Sequence, residues 1–398
     1  MSGSSSQTGA PETSSTLSLR EPSTRSGSTR QPGLLVIFGP DPALATLVHP
    51  GRGRRTIGRQ ADQTICLADA ALSRAHAEID VGADAAQVRD LGSHNGTYLN
   101  GVKLGAASKP LVQGDLVRCG NTLLTVVFDV AAFAEWPAQA GGASRELEQR
   151  LDVIAPLAVN VLIEGEVGSG RRDAAQRLHR LTGSDVPLVV VDAGATLSPL
   201  ERARLVYLEN LSEIDPGRQA ELWRLLQARR DLRLFSQASE ALVAAVERGE
   251  FRRDLFERLA GARVRVPALR ERREDLVSLV QQLLRCSELP RACEVSFDAQ
   301  FVERLWLHSW PGNMAELRRV LDGAVLEANL RQETQLRASD LPLRQTNEPP
   351  RAVHALIERQ LSETNGNVAA CAAQLKMSRR QIYQALKEMG RTAGDFRQ

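Results

Sequence analysis

The stretch Val161-Leu162-Ile163-Glu164-Gly165-Glu166-Val167-Gly168-Ser169-Gly170-Arg171 decides how the middle of this chain folds. An apolar strand-like run ends in G-x-x-x-x-G and a basic residue. That spacing turns a strand into a helix through a glycine loop, whose backbone N–H groups and helix N-terminus can cradle phosphates. Around it, strand-like runs at Val159 to Glu164, Leu188 to Asp192, Leu205 to Leu208 and Leu232 to Ser236 alternate with helical segments. The alternation predicts an α/β domain over residues 151–345.

Working outward, residues 1–32 are rich in Ser, Thr, Gly and Pro and nearly empty of large apolar side chains. Such a segment cannot offset its ordering entropy by burial and is expected to be a disordered arm. Residues 33–130 carry short apolar runs, among them Leu34-Leu35-Val36-Ile37-Phe38, Ala77-Glu78-Ile79-Asp80-Val81 and Leu123-Leu124-Thr125-Val126-Val127-Phe128. Broken by Gly, Asn and Asp, they predict an all-β sandwich. A helical linker rich in Ala and Glu is expected over 131–150 and a polar one over 346–350. Residues 351–398 read as all-α. The fold class is therefore multi-domain.

The 398 residues carry a formal net charge of +2, with 42% apolar and 25% charged residues. These values suit two or three globular domains and leave only local charge informative. No apolar run approaches the roughly 18 residues of a membrane span, and the N-terminus lacks a secretory pattern. No membrane partner is expected, and the expected location is cytoplasmic. The scattered Cys66, Cys119, Cys286, Cys293 and Cys371 read as reduced, mostly core thiols, with no metal site.

In the β-rich segment four clusters follow in order: Gly58-Arg59, Ser73-Arg74-Ala75-His76, Ser93-His94-Asn95-Gly96-Thr97 and Asn100-Gly101. Arg59 offers a planar two-pronged donor set to a phosphate. Ser73 and Arg74 add a hydroxyl and a second cation, and Asn95 suits a peptide main chain. Taken singly, the Asn-Gly pairs are also what hairpin turns use. Together, the clusters resemble the forkhead-associated (FHA) domain from about Gly33 to Asp129. The resemblance implies that Arg59, Ser73, Arg74 and Asn95 contact a phosphothreonine-containing protein, with His94 at the peptide surface. His76 and Gly96 are expected to hold the loops in shape.

The middle segment carries Phe251-Arg252-Arg253-Asp254-Leu255-Phe256-Glu257-Arg258-Leu259, Val266-Pro267-Ala268-Leu269-Arg270-Glu271-Arg272-Arg273-Glu274-Asp275 and Trp310-Pro311-Gly312-Asn313. With the glycine loop these resemble the AAA+ module of sigma-54-dependent transcription activators, from about Glu146 to Leu341, which implies an α/β P-loop module with a helical lid. The departures bear on chemistry. Arg171 stands where the phosphate-loop lysine belongs, and Arg172 where a residue compatible with magnesium is expected. The strand that should end in Asp-Glu reads Leu208-Glu209-Asn210, and Asn210 cannot act as a base. The polar sensor is Ser239, and Ala315 replaces an arginine. Only Ala193 to Arg204 separate two strands where the family carries its sigma-gripping loop. Arg252 and Arg258 match arginines that reach a neighbouring subunit's nucleotide; with hydrolysis lost, their simplest role is pairing with acidic residues on the same helix or a neighbour, the alternative being a residual intersubunit role. No catalytic residue is expected. ATP or ADP is a candidate ligand without hydrolysis, at Gly165, Gly168, Ser169, Gly170 and Arg171; the alternative is a glycine turn that only packs strand against helix.

At the C-terminal end, Asn367 is set to cap a small-residue helix through Leu375, and Lys376-Met377 turns into a second helix from Ser378 to Gly390. Ile382, Leu386 and Met389 share one face. Arg379, Arg380, Gln381, Gln384 and Lys387 share the other. Residues 351–398 hold eight Lys/Arg against four Asp/Glu. Leu361 to Gly390 resembles a Fis-type helix-turn-helix, which implies double-stranded DNA as partner and Ser378, Arg379, Arg380, Gln381, Tyr383, Gln384 and Lys387 as its contacts. Lys376 departs from the family's turn glycine.

The chain thus reads as a non-enzymatic transcription regulator with phosphothreonine input and DNA output. RNA polymerase and a second copy of the chain, at least as a dimer, are further candidate partners. The rivals are an ATP-dependent sigma-54 activator and a phospho-dependent scaffold without DNA binding.

Overall fold

The computed structural model describes residues 33–40, 47–48, 51–82, 85–128 and 142–343, and beyond them 357–358, 360–362, 364, 366–375, 382–383, 386 and 391–396. The arm expected over 1–32 and the linker at 346–350 lie outside the described residues. Among those described, no helix is long and apolar enough to cross a membrane.

The N-terminal strands are β1 (Gly33–Phe38), β2 (Leu47–Val48), β3 (Gly53–Gly58), β4 (Ile65–Cys66), β5 (Ala77–Val81), β6 (Ala86–Asp90), β7 (Thr97–Leu99), β8 (Val102–Lys103), β9 (Lys109–Leu111), β10 (Leu116–Cys119) and β11 (Thr122–Val127). They form two sheets, ordered β2-β1-β11-β10-β7-β8 and β4-β3-β5-β6-β9. On β5 the alternation of Ala77, Ile79 and Val81 with Glu78 and Asp80 gives one face to the core between the sheets. β11 is buried at every position and β1 at all but Phe38, so the first sheet is covered on both faces.

Next come α1 (Gly142–Ile154), β12 (Val161–Glu164), α2 (Arg171–Leu181), β13 (Val189–Asp192), β14 (Leu205–Glu209), α3 (Pro216–Ala228), β15 (Arg233–Ala238), α4 (Glu240–Glu247), α5 (Arg253–Leu259) and β16 (Ala262–Arg265). Helix α1 runs past the expected linker end at Arg150, because Leu151 and Ile154 pack with Val161, Ile163 and Val264. The five strands are parallel in the order β13-β14-β15-β12-β16. The chain leaves β12 for one edge, returns through β14 and β15, and crosses to β16. The glycine loop therefore lies at the carboxyl end of the strand where the order reverses, the usual ligand position in such sheets.

The chain continues through α6 (Leu276–Arg285), β17 (Ser296–Phe297), α7 (Ala299–Leu307), α8 (Asn313–Leu330) and β18 (Gln335–Leu336) around a helical core that includes Leu317, Leu321 and Ala324. Farther on, α9 (Val368–Leu375) starts at Asn367, whose Oδ1 accepts the N–H groups of Ala369 and Ala370, each at 3.1 Å.

The cysteine reading needs correction. Cys119 and Cys371 are buried, but Cys66, Cys286 and Cys293 are exposed, so the thiols are not mostly core. Cys66 ends the two-residue edge strand β4, and Cys286 follows the last turn of α6, where there is little to cover either.

Candidate functional sites

The loop after β3 begins at Gly58, where a Cβ would stand 2.0 Å from the Arg74 carbonyl oxygen. Only glycine allows that approach, and it brings two loops together: the Arg59 N–H donates to Ser73 O at 3.1 Å and the Gln60 N–H to Arg74 O at 3.4 Å. His76 is fully buried beneath them. Its Nδ1 accepts the Ser73 N–H at 3.1 Å, and its Nε2 lies 3.3 Å from Gly96 O. Only the neutral ring protonated on Nε2 satisfies both contacts, and burial pushes its pKa down.

The third loop is tied to the second. The His94 N–H donates to Ser73 Oγ at 3.0 Å, and Asn95 Nδ2 donates to Ala71 O at 2.7 Å. Ser73 Oγ thus accepts one bond and keeps its own proton to give. Asn95 keeps its carbonyl oxygen without a partner among the described residues. Arg59, Arg74, His94 and Asn95 are exposed and Ser73 is half-buried, so the five predicted residues share one rim. Neither Arg59 nor Arg74 has a side-chain partner among the described residues.

Sequence reasoning missed Asp90. Its Oδ2 accepts the N–H groups of Gly92 at 2.9 Å and Ser93 at 3.0 Å, and its Oδ1 accepts the hydroxyls of Ser93 and Thr97. Burial works against the charged form, but these bonds hold the carboxyl below its ordinary pKa. The signal was present: Asp90 two residues before Gly92 is the spacing of an Asx turn.

In the α/β segment, Gly168 and Gly170 take φ of 76° and 103°. Ser169 is fully buried with its Oγ unpartnered. This backbone fits a phosphate cradle. The Met314 N–H donates to Gly168 O at 2.9 Å, Asn313 Nδ2 to Val167 O at 3.1 Å and Arg272 Nη2 to Ser169 O at 2.7 Å. Those bonds engage carbonyls, while the Gly165 N–H donates to Ala238 O at 3.2 Å.

The side chains singled out around the glycine loop are engaged within the fold. Arg171 Nη1 donates to Ala238 O at 3.0 Å, at the end of β15, and burial lowers its pKa. Asn210 sits at φ 57°, a left-handed position that Asn tolerates better than most residues. Its Nδ2 donates to Asp192 at 3.0 Å, and its Oδ1 faces Gln237 Nε2 at 3.4 Å. Ser239 precedes α4, with its Oγ 3.3 Å from Ser212 Oγ. Arg252 pairs with Asp254 at 2.6 Å, while Arg258 is exposed without an ion pair among the described residues.

The short interval 193–204 closes on itself. Arg229 Nη1 donates to the carbonyls of Leu200 at 3.1 Å and Glu201, its Nη2 donates to Ala203 O at 2.9 Å, and Asp231 grips the same guanidinium. One fork satisfies three carbonyls of a turn that has no sheet to pair with.

At the C-terminal end, Ile382 and Leu386 are buried with Leu361, Val368 and Cys371, and Tyr383 is 58% exposed. Of the residues predicted to touch DNA, Ser378, Arg379, Arg380, Gln381, Gln384 and Lys387 lie outside the described residues, as does Lys376.

Family models match four consecutive segments: FHA domain over residues 55–120, Sigma-54 interaction domain over 140–269, AAA+ ATPase lid domain over 270–356, and Bacterial regulatory protein, Fis family, over 354–389. The chain joins an FHA domain to a sigma-54 interaction domain, its AAA+ lid and a Fis-type helix-turn-helix.

Among curated relatives, the transcriptional regulatory protein ZraR of Escherichia coli (strain K12) is 28% identical over 293 residues, which cover 61% of this chain and 66% of ZraR. The pathogenicity locus probable regulatory protein HrpR of Pseudomonas syringae pv. syringae is 28% identical over 277 residues, covering 59% of this chain and 88% of HrpR. The chain thus spans just under two thirds of ZraR. Among solved structures, NtrX from Brucella abortus in complex with ATP aligns at 24% identity and a TM-score of 0.44, covering 62% of this chain and 68% of NtrX.

The buried His76 makes the FHA domain sensitive to acid. The unfolded imidazole takes a proton near pH 6.5, whereas the folded one resists it. The unfolded state therefore binds more protons as pH falls through about 6.5, and the His76 contribution to stability is lost from there downward. Amide exchange of the 73–97 region, corrected for intrinsic rates, should lose protection between pH 7 and 5. His76→Gln accepts and donates in the same places without titrating, and should flatten that dependence.

Proposed function

We propose that this chain is a DNA-binding transcription regulator that takes a phosphothreonine signal through its FHA domain and carries its AAA+ module as a scaffold without ATP turnover. The observation that carries the reading is the rim of Arg59, Arg74 and Ser73. Two exposed guanidinium groups without side-chain partners among the described residues stand beside a hydroxyl that donates to none of them, over a platform fixed by His76 and Gly58. A phosphate brings close to two negative charges and three acceptor oxygens, which this set matches. Asn95, exposed and with its carbonyl oxygen unpartnered among the described residues, and His94 supply contacts to the peptide around it.

In this reading ATP or ADP binds without hydrolysis. Gly168, Ser169 and Gly170 hold its phosphates through backbone N–H groups and the Ser169 hydroxyl, with Gly165 and Arg171 beside them. RNA polymerase and a second copy of the chain are the remaining partners.

The output is double-stranded DNA, read by the helix that carries Tyr383 and ends the buried run Ile382 and Leu386. Arg379, Arg380 and Lys387 contact phosphates, and Gln381 and Gln384 contact base edges, with Ser378 and Tyr383 at the margins. A glutamine pairs with adenine through donor and acceptor together, worth roughly 1–3 kcal/mol of discrimination. Lys387→Ala should weaken binding about equally on all sequences and lower the salt slope by about one. Gln384→Ala should instead relax preference at one position of the site. Acting in pairs, such domains take half-sites about 34 Å apart or a multiple of that. Titration of both variants against the preferred site and scrambled DNA at several salt concentrations tests this. If both bind all DNA as the parent does, the chain is a phospho-dependent scaffold.

A further inference from the structure

The face of the FHA domain turned away from its own core is not a solvent face. Along β1, Leu34 and Val36 point into the sandwich, while Leu35 and Ile37 are buried in the cluster that contains Phe301, Val302 and Leu305 of lid helix α7. The same split recurs on β11, with Leu124 and Val126 inward and Leu123 and Val127 toward the lid. Phe38 stacks on Phe297 of β17 at 5.8 Å, and Phe297 meets Phe301 at 5.5 Å. Domains joined only by a tether move independently; two that share an apolar core do not.

An ion pair lies within this interface, and Glu303 also takes a backbone hydrogen bond from Gly101. Arg118 Nε of β10 pairs with Glu303 Oε2 of α7 at 2.8 Å, with side chains 12% and 10% exposed. The guanidinium also lies 3.8 Å from the centre of the Tyr98 ring. A buried ion pair adds little stability over an apolar pair of similar volume, so its use at this place calls for another reason.

That reason is position. Tyr98 is the direct partner of Arg118 across β7 and β10, and of Lys103 across β7 and β8. It lies three residues beyond Asn95, on the strand that leaves the peptide rim. Thr97, between them, is bonded to the same Asp90 that shapes the 92–93 turn. Gly96, at φ 77°, packs its bare Cα against Lys103, where a Cβ would stand 2.3 Å from Cε. Any shift of the 93–97 loop therefore moves the ring on which Arg118 rests.

We propose that occupancy of the FHA rim is passed to lid helix α7 through Tyr98, Arg118 and Glu303, with Arg118 as the positioning residue. The ligand rests on the phosphopeptide reading above; the docked interface does not. The input of this regulator is then a change in the lid rather than recruitment alone.

The test uses the full chain and a phosphothreonine peptide selected from a degenerate library. Binding is measured by calorimetry, and exchange of the α7 amides is followed with and without peptide. Saturation should change α7 protection about five-fold or more, the size of an ordinary coupling between sites. Arg118→Met alone leaves Glu303 buried and uncompensated, which risks misfolding. The double variant Arg118→Met/Glu303→Met removes both charges and should bind peptide as the parent does while losing the α7 response. If peptide binds and α7 is unmoved, the coupling is overturned and the phosphopeptide reading stands. If the folded double variant keeps the response, the role of Arg118 is overturned. If no phosphothreonine peptide binds, both readings fall.

Discussion

Replacing Arg59 with alanine is expected to lower affinity for a phosphothreonine peptide by one to two orders of magnitude and to leave the unmodified peptide where it was. The guanidinium is exposed and has no side-chain partner among the described residues, so its removal frees no buried group there. Everything lost is lost to the ligand. Hydrogen bonds to charged groups contribute about 1.5–3 kcal/mol each, roughly ten- to a hundred-fold in affinity. Arg59→Lys keeps the charge but not the planar fork, so it should fall between. Calorimetry with matched phosphorylated and plain peptides measures the difference. Equal affinity of the parent chain for both peptides would sink the phosphate reading.

The second large effect is an absence of turnover. ATP hydrolysis by the purified chain is expected to match a buffer control. General-base help in a proton transfer contributes about 10²–10⁴-fold to rate, and Asn210 offers no base. Its amide is also engaged at both ends, by Asp192 and Gln237, and its left-handed backbone suits Asn better than a longer acid. Arg171 is directed to the Ala238 carbonyl. Open-complex formation with the sigma-54 polymerase is likewise expected to fail, because the 193–204 turn is closed over by Arg229 and carries no gripping loop. Turnover that vanishes in Arg171→Ala would restore the activator reading, as would open complexes in a purified system.

What the sequence made legible was local. Gly58, Asn95-Gly96 and the glycine loop announce themselves because their backbone demands are met by few residues within a short span. The four parallel strands read from the sequence are placed within two residues at each end. β16 went unremarked because Arg263 and Arg265 give it a polar look, on an edge where charge is tolerated. The clamp of Arg229 over three carbonyls had no local sign, since it joins residues 26 to 29 positions apart. The docked lid was legible in principle. A strand buried on one face should alternate, and Leu34-Leu35-Val36-Ile37 does not.

That unbroken run has a practical consequence for anyone cutting the gene. A recombinant fragment that stops after β11 presents Leu35, Ile37, Leu116, Leu123 and Val127 to water as one contiguous greasy surface, along with an Arg118 deprived of its carboxylate. Surfaces of that kind drive self-association. The fragment that behaves well in solution is one whose C-terminal end lies beyond Leu343, where the last residues of the shared core are found.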